Sequence, residues 1–162
     1  MPSAPRSSDR ETIARSADHR ALRIWLRLLT CTQLIERQVR SRLRGHFNTT
    51  LPRFDLMAQL ERHPEGLKMN ELSRRLMVTG GNVTAIVDQL EKESLVERLA
   101  EPADRRAYRI RLTRAGERTF GEMALAHEQW VVEMLGGLSR KEHEALLKLL
   151  AKVKQSTVEV TA

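Results

Sequence analysis

Apolar residues recur at helical intervals in two short segments near the centre of the chain. In the first segment Leu72 and Leu76 are separated by one helical turn. In the second, the i, i+3, i+4 and i+7 positions of one buried stripe are Val83, Ile86, Val87 and Leu90. The pattern predicts two amphipathic helices joined by a tight turn, which together form a helix-turn-helix.

The polar positions of the second segment indicate how its helix would be used. Thr79 is a natural N-cap, and Gly80 and Gly81 add no side-chain bulk where a helix start must approach a phosphate. The outward positions are then Asn82, Thr84, Ala85, Asp88 and Gln89. Small polar groups near a helix N-terminus suit a recognition helix that enters the major groove of duplex DNA end-first.

A period-2 pattern follows the two helices. Tyr108, Ile110 and Leu112 alternate with two arginines, which predicts a strand with one buried face. Its partner strand is predicted at Leu95–Ala100, and the loop between them, Glu101–Arg106, contains a proline turn signal. The hairpin is basic and follows a helix-turn-helix, so the pattern predicts a wing.

The predicted tip of this wing carries two adjacent arginines, Arg105 and Arg106. Held out on a short hairpin, they could reach phosphates or a narrow minor groove, where the negative potential is deepest. Asp104 beside them is interpreted as orienting Arg106 through a bidentate pair, because a carboxylate near DNA is otherwise unfavourable. The alternative is that these arginines form only a solvated surface.

The outer segments predict further helices. One long helix is expected from Ala17 to His46 with Gly45 as its stop, and Pro52 begins a helix with apolar positions Phe54, Met57, Ala58 and Leu60. Thr113 is expected to cap a helix that runs to Leu135, and Ser139–Glu142 forms a capping box before the last helix. Four regions are predicted: an N-terminal arm at 1–16, a dimerisation helix at 17–50, the winged helix-turn-helix at 51–115 and C-terminal dimerisation helices at 116–162, all in one intertwined unit.

The predicted fold class is therefore mainly α with a small β-hairpin wing: a winged helix-turn-helix plus a helical dimerisation layer. The apolar stripes of the outer helices exceed what the small winged region can cover, which favours a homodimer. A homodimer could also place two recognition helices about 34 Å apart, in successive major grooves. The alternative is a monomer that folds these helices back on itself.

Two stretches of the chain, GGNVTAIVDQLEKESLVER and PADRRAYRIRLTRAG, resemble the MarR family of dimeric bacterial transcriptional regulators. The resemblance extends over residues 20–155, and its most specific part is the motif DRR at 104–106 followed by LTxxG at 112–116. It implies that Arg106, the second arginine of the motif, enters the minor groove. It also implies that the family's recognition-helix positions are Thr79, Asn82, Val83 and Thr84.

Composition narrows the class of protein. The chain has 162 residues. Its low aromatic fraction of 4% favours a fold of packed helices, and its one cysteine cannot form an intrachain disulfide. No apolar run approaches the roughly 20 residues of a membrane span, and the N-terminus lacks a secretory signal. The expected location is cytoplasmic, without membrane association.

The net charge of +7 is unevenly distributed. An excess over residues 95–118 is expected of a DNA-binding wing, but residues 1–46 hold ten arginines against four acidic residues. This second excess has three interpretations: a solvated helix face, extra phosphate contacts, or an anionic effector. If the third holds, Arg20, Arg23 and Arg27 with the flat Trp25 would bind an aromatic carboxylate or an acyl-CoA thioester.

Enzyme chemistry finds little support. The histidines form no HxxH or HExxH set and Cys31 has no CxxC partner, so no metal site and no cofactor are expected. Cys31 is interpreted as a small packed residue, with a redox switch as the alternative. Relatives that sense peroxides carry their cysteine earlier on the first helix, at about Leu26 here.

The function predicted from the sequence is a homodimeric, ligand-responsive transcriptional regulator, more typically a repressor. It would bind a pseudopalindromic operator in double-stranded DNA and be released by a small-molecule effector that favours another spacing of the recognition helices. Two alternatives remain open: an oxidant-sensing repressor that uses Cys31, and a winged-helix module for protein contacts.

Overall fold

The computed structural model describes the backbone of residues 9–76, 80–101 and 104–161, and the side chains of residues 19–76, 82–100 and 108–159. The predicted fold class is confirmed, since the described chain is mainly helical with one small antiparallel sheet. The elements are α1 (Asp9–Phe47), α2 (Leu51–Glu61), β1 (Leu67–Lys68), α3 (Met69–Leu76), α4 (Gly80–Lys92), β2 (Val96–Glu101), β3 (Asp104–Leu112), α5 (Arg114–Leu135) and α6 (Arg140–Thr161).

The chain divides into two units, Met1–Leu51 and Pro52–Ala162. The first unit contains α1, which begins at Asp9 rather than at the predicted Ala17. Residues 9–16 of the predicted arm are therefore helical, and residues 1–8 lie outside the described part of the chain. The segment 9–44 has no proline or glycine, and an aspartate at a helix N-terminus is favourable, so nothing in it stops a helix.

The end of α1 lies one residue beyond the predicted His46, but Gly45 is not what ends the helix. The helix passes through Gly45, the expected stop, and continues to Phe47. It ends where Asn48 adopts a φ of 48°, and the amides of Asn48 and Thr49 donate to the carbonyls of Arg44 and Leu43 at 3.1 and 3.3 Å. A single glycine costs a helix only about 1 kcal/mol. A left-handed residue, by contrast, ends the helix, and asparagine tolerates that conformation well.

The second unit contains a three-stranded sheet in the order β1-β3-β2. The short β1 was not predicted; it pairs antiparallel with β3 through Leu67 opposite Ile110. β2 is shifted by one residue from the predicted Leu95–Ala100, and β3 is longer than expected because it already begins at Asp104. The predicted six-residue loop is wrong, and the backbone of Arg105 and Arg106 belongs to β3.

The core of the second unit is formed by the predicted apolar stripes. The complete stripe of α4 is buried, as are Leu72 on α3 and Phe54, Met57 and Leu60 on α2. Ile110 and Leu112 are buried on β3 as predicted, but Tyr108 on the same strand is 47% exposed, which corrects its assignment to the buried face. Tyr108 pairs with Ala100 on β2, which is exposed as well.

Two predicted helix starts are confirmed. Thr113 caps α5, where its Oγ1 accepts from the Gly116 amide at 3.0 Å and donates to the Ser94 carbonyl at 2.7 Å. Ser139 and Glu142 form the capping box of α6, and the hydrogen bonds from Ser139 lower the pKa of the Glu142 carboxyl. Among the described residues, none of the helices has the length and apolar character needed to cross a membrane.

Candidate nucleic-acid interface

The N-terminal half of α4 carries the predicted base-reading positions. Asn82 and Thr84 are exposed, one turn into the helix, where their side chains can meet another molecule. Val83, which the family resemblance added to the contacts, is completely buried. Its place in the apolar stripe excludes it from a contact surface, because a residue that closes the core cannot also face DNA. Thr79 lies outside the described residues.

The wing positions are described only through their backbone. Asp104, Arg105 and Arg106 belong to β3, and Asp104 pairs in register with Glu101 across the hairpin. Their side chains lie outside the described part, so the pairing of Asp104 with Arg106 stays a prediction.

The arginines whose side chains are described on this hairpin are held by protein partners. Arg98 on β2 donates to the carboxylates of Asp88 and Glu91 on α4. Arg111 donates to Glu97 across the hairpin at 2.6 Å. Arg109 donates to the Gly66 carbonyl at 3.3 Å. The basic composition of the segment therefore overstates the cationic surface that it offers to phosphates.

Asp88 also differs from the sequence prediction. Instead of pointing outward to meet base edges, its carboxylate is engaged by Arg98, and this hydrogen bond raises the pKa of the Arg98 guanidinium. Residues ten positions apart on a helix and a strand show no local spacing signal, which is why sequence patterns did not reveal the pair.

The first helix of the motif offers a basic surface that the sequence interpretation missed. Arg74 and Arg75 are exposed in the last turn of α3 and, with Glu71, line a depression of about 290 Å³. Glu71 accepts a hydrogen bond from the Lys68 amide at 2.9 Å, which is the main cause that lowers the pKa of this carboxyl. The signal in the sequence was the adjacent arginine pair ahead of the recognition helix.

A larger cleft lies elsewhere in the second unit. Its volume is about 610 Å³, within the range of small-molecule sites. Phe120, in its wall, packs against Phe54 with ring centroids 5.4 Å apart. The lining combines apolar side chains with three charged ones: Ala58, Leu60, Glu61, Arg62, Pro64, Leu112, Glu117, Phe120, Gly121 and Ala124. None of the three charged residues has an ion-pair partner among the described side chains.

The predicted effector residues are all exposed on α1. Arg20, Arg23 and Arg27 lie on one side of this helix, whereas Trp25 is rotated from them by about 140 to 160° at 3.6 residues per turn. The arginines therefore share a face that Trp25 does not. Cys31, on the same helix, is an exposed free thiol rather than the packed residue that was expected. No cluster of metal-ligating side chains exists within the described residues.

A helix-turn-helix followed directly by a two-stranded basic hairpin defines a winged helix-turn-helix protein. The model of the MarR family matches residues 47–107, which include α3, α4, β2 and the first residues of β3. A MarR family transcriptional regulator from Silicibacter pomeroyi is 31% identical, covers 87% of this chain and 97% of its own, and superimposes with a TM-score of 0.73. The chain belongs to the MarR family.

Two further structures have the same fold. Wild-type MarR from E. coli in its apo form is 25% identical, with a TM-score of 0.70 over 78% of this chain and 93% of its own. FabT from Streptococcus pneumoniae in complex with DNA is 23% identical, with a TM-score of 0.72 over 86% and 99%. Members of this family are transcriptional regulators rather than enzymes. The membership favours regulation over a winged module for protein contacts.

Proposed function

We propose that this regulator binds a pseudopalindromic operator in duplex DNA through the N-terminal half of α4 and the wing. The observation that carries the proposal is the exposed pair Asn82 and Thr84 at the start of a helix whose other face is completely buried. Amides and hydroxyls in this position suit base edges in the major groove. FabT, which has the same fold, is seen in complex with DNA.

Insertion into the minor groove is proposed for Arg106 on the wing, and phosphate contacts are proposed for Arg105 and for Arg74 and Arg75 on α3. In a helix-turn-helix the first helix crosses the DNA backbone while the second enters the groove. Cations at both places would hold α4 in register along the duplex.

The experiment selects duplexes from a random pool with the purified protein and then measures affinity for the selected sequence at several salt concentrations. Asn82→Ala is expected to weaken binding to the selected DNA by about 1 to 3 kcal/mol, which is the contribution of one bidentate base contact. Gln129→Ala, an exposed residue on α5, is the matched control and should leave the affinity unchanged. Absence of any enriched sequence, or equal behaviour of both variants, would refute the proposed interface.

A second copy of this chain is the proposed partner for the outer helices. Apolar side chains are exposed along α1 at Leu22, Trp25, Leu26 and Leu34, and along α6 at Leu147, Leu149 and Val158. Leu147 is 70% exposed, and Val158 lies on the same side of α6 three turns later. A monomer rarely leaves so many apolar side chains in water, whereas a dimer buries them and brings two recognition helices to one operator.

Release by a small anionic effector, and hence a repressor role, is part of the proposal. It is supported by Arg20, Arg23 and Arg27, which share one face of α1 and have no ion-pair partner among the described side chains. Such a row of guanidinium groups can hold a carboxylate or a phosphate. The effector releases DNA only through its differential affinity for the two spacings of the recognition helices.

Benzoate and benzoyl-CoA are suitable probes, because they share an aromatic group and differ in phosphate charge. Titration calorimetry on the wild type and on Arg20→Ala, Arg23→Ala and Arg27→Ala should show weaker binding of a probe in each variant. Operator affinity should stay nearly the same. If the same variants weaken binding to all DNA sequences equally and flatten the salt dependence of the affinity, these arginines contact DNA phosphates instead.

The cleft of the second unit is the alternative place for an effector, and Gly121 allows it to be tested. A Cβ at this position would meet no atom within 4 Å, so a side chain can start into the cleft from here without a clash at the backbone. Gly121→Leu should abolish the response to a ligand bound there, while Gly121→Ala should retain it. An equal response in both variants would exclude the cleft.

Oxidant sensing through Cys31 remains the second candidate, and the exposure of this thiol favours it. Peroxide should then release DNA from the wild type and not from Cys31→Ser. If peroxide leaves the wild-type complex intact, this candidate is removed.

A further inference from the structure

One side chain links the recognition helix to the wing. The guanidinium of Arg98, on β2, donates through Nη2 to Asp88 and through Nη1 to Glu91, both on α4. The two carboxylates are three residues apart, which places them on the same side of the helix. The Arg98 side chain is 30% exposed, and its planar fork can bond both carboxylates at the same time.

The position of this contact determines what it can control. The connection between α4 and β2 is a three-residue turn around Ser94, which fixes where the helix ends and the strand begins. Arg98 lies further along the strand and reaches back one turn into the helix, across ten positions of sequence to Asp88. The turn fixes where helix and strand join, and the Arg98 contact fixes the angle between them.

The wing follows the orientation of β2. Arg98 is paired in register with Ile110 of β3, and β3 carries the backbone of Arg105 and Arg106. A change of angle at Arg98 would therefore move the wing relative to the N-terminal end of α4. Both elements must meet the same stretch of duplex, and base contacts are lost with small displacements.

We propose that Arg98 is a positioning residue that sets the angle between α4 and the wing, so that both engage one operator half-site together. The inference rests on the proposed DNA binding. It predicts that Arg98 governs discrimination between operator and unrelated DNA without contacting either.

The chain supplies a matched control. Arg111 is also an arginine of the hairpin with a carboxylate partner, but its partner Glu97 belongs to the hairpin itself. Arg98→Met and Arg111→Met each remove one positive charge from the same hairpin, and only the first removes a link to α4. The measurement is the ratio of affinities for the selected operator and for an unrelated duplex of equal length, at fixed salt.

Arg98→Met is expected to lower this ratio about tenfold, within the range that coupled charged contacts show. Arg111→Met should change it by less than about twofold, while both variants lose similar affinity for unrelated DNA because they lose the same charge. An unchanged ratio in Arg98→Met, or equal losses in the two variants, would overturn the inference.

A second background separates positioning from direct contact. In a chain that carries Asp88→Ala and Glu91→Ala, which leaves Arg98 no side-chain acceptor at these two positions, the further change Arg98→Met should leave the ratio where it already stands, because Arg98 acts through these carboxylates. A full additional loss would show that Arg98 contacts DNA itself and would overturn the inference.

Arg98→Lys covers the case in which Arg98→Met does not fold. The ammonium keeps the charge but gives a point contact where the guanidinium bridges two carboxylates. It should retain the wild-type affinity for unrelated DNA and recover only part of the ratio. A wild-type ratio would show that charge alone matters and would refute the positioning role. If the wild type enriches no sequence at all, the proposed DNA binding fails instead, which is a distinct result.

Discussion

The junction between the wing and α5 depends on one glycine that cannot be replaced without moving backbone. Gly116 lies in the first turn of α5, and a Cβ built on it would be 2.0 Å from the Leu95 carbonyl oxygen and 2.9 Å from its carbonyl carbon. The same oxygen accepts a hydrogen bond from the Thr113 amide at 3.0 Å. Gly116→Ala must therefore displace the strand end that anchors the start of α5.

The expected loss of stability follows from three contributions. Forcing packed atoms apart costs about 1 to 3 kcal/mol. Weakening the Thr113 hydrogen bond costs about 0.5 to 1.5 kcal/mol. Alanine in place of glycine within a helix returns about 0.5 to 1 kcal/mol. The free energy of unfolding should fall by about 2 kcal/mol in Gly116→Ala.

The assay is urea unfolding followed by circular dichroism at 222 nm, with all variants at one protein concentration because dimerisation would add to the apparent stability. Gly121→Ala is the matched control in the same helix. A Cβ there meets no atom within 4 Å, so this variant should be more stable than the wild type by about 0.5 to 1 kcal/mol. Two identical substitutions five residues apart should thus act in opposite directions. If Gly116→Ala is as stable as Gly121→Ala, the close approach to Leu95 is refuted.

Three other outcomes can be checked with the same protein. Ser94 has a φ of 58° after the end of α4, where the amides of Ser94 and Leu95 donate to the Glu91 and Leu90 carbonyls. Glycine adopts this left-handed conformation without strain, so Ser94→Gly should raise the free energy of unfolding by about 1 kcal/mol. If the variant is no more stable than the wild type, Ser94 is not strained. The hydrogen bond from the Lys68 amide lowers the folded-state pKa of the Glu71 carboxyl, so ionised Glu71 stabilises the fold above its unfolded-state pKa, and this stabilisation is lost as pH falls through the folded-state pKa. The difference in unfolding free energy between wild type and Glu71→Gln should therefore be largest at neutral pH and shrink in acid. A difference that stays constant with pH would disprove the linkage. Leu147→Glu should shift the protein towards monomer in sedimentation, whereas Lys148→Glu, its exposed neighbour, should not; equal masses for both would argue against α6 as a dimer surface.

Much of the fold was predictable because its signals are local. The stripe of α4 needs only the helical period, and the caps Thr113 and Ser139 need only side chains that reach the next turn. The DRR and LTxxG motifs carried the family resemblance, which the comparisons confirm. The physical reason for the last glycine of LTxxG, by contrast, is visible only in the contact between Gly116 and Leu95.

Tertiary structure decided what depends on partners distant along the chain. Two residues of β1 form a strand only because Ile110 and Arg109 of β3 pair with them, and a two-residue segment has no period of its own. Tyr108 alternates like a core residue yet is exposed, because alternation defines a face and not whether anything covers it. Asp88 was predicted to face base edges and is instead bound by Arg98. The sequence could not reveal this ion pair, because a contact across ten residues depends on the angle at which a strand leaves a helix, and packing sets that angle.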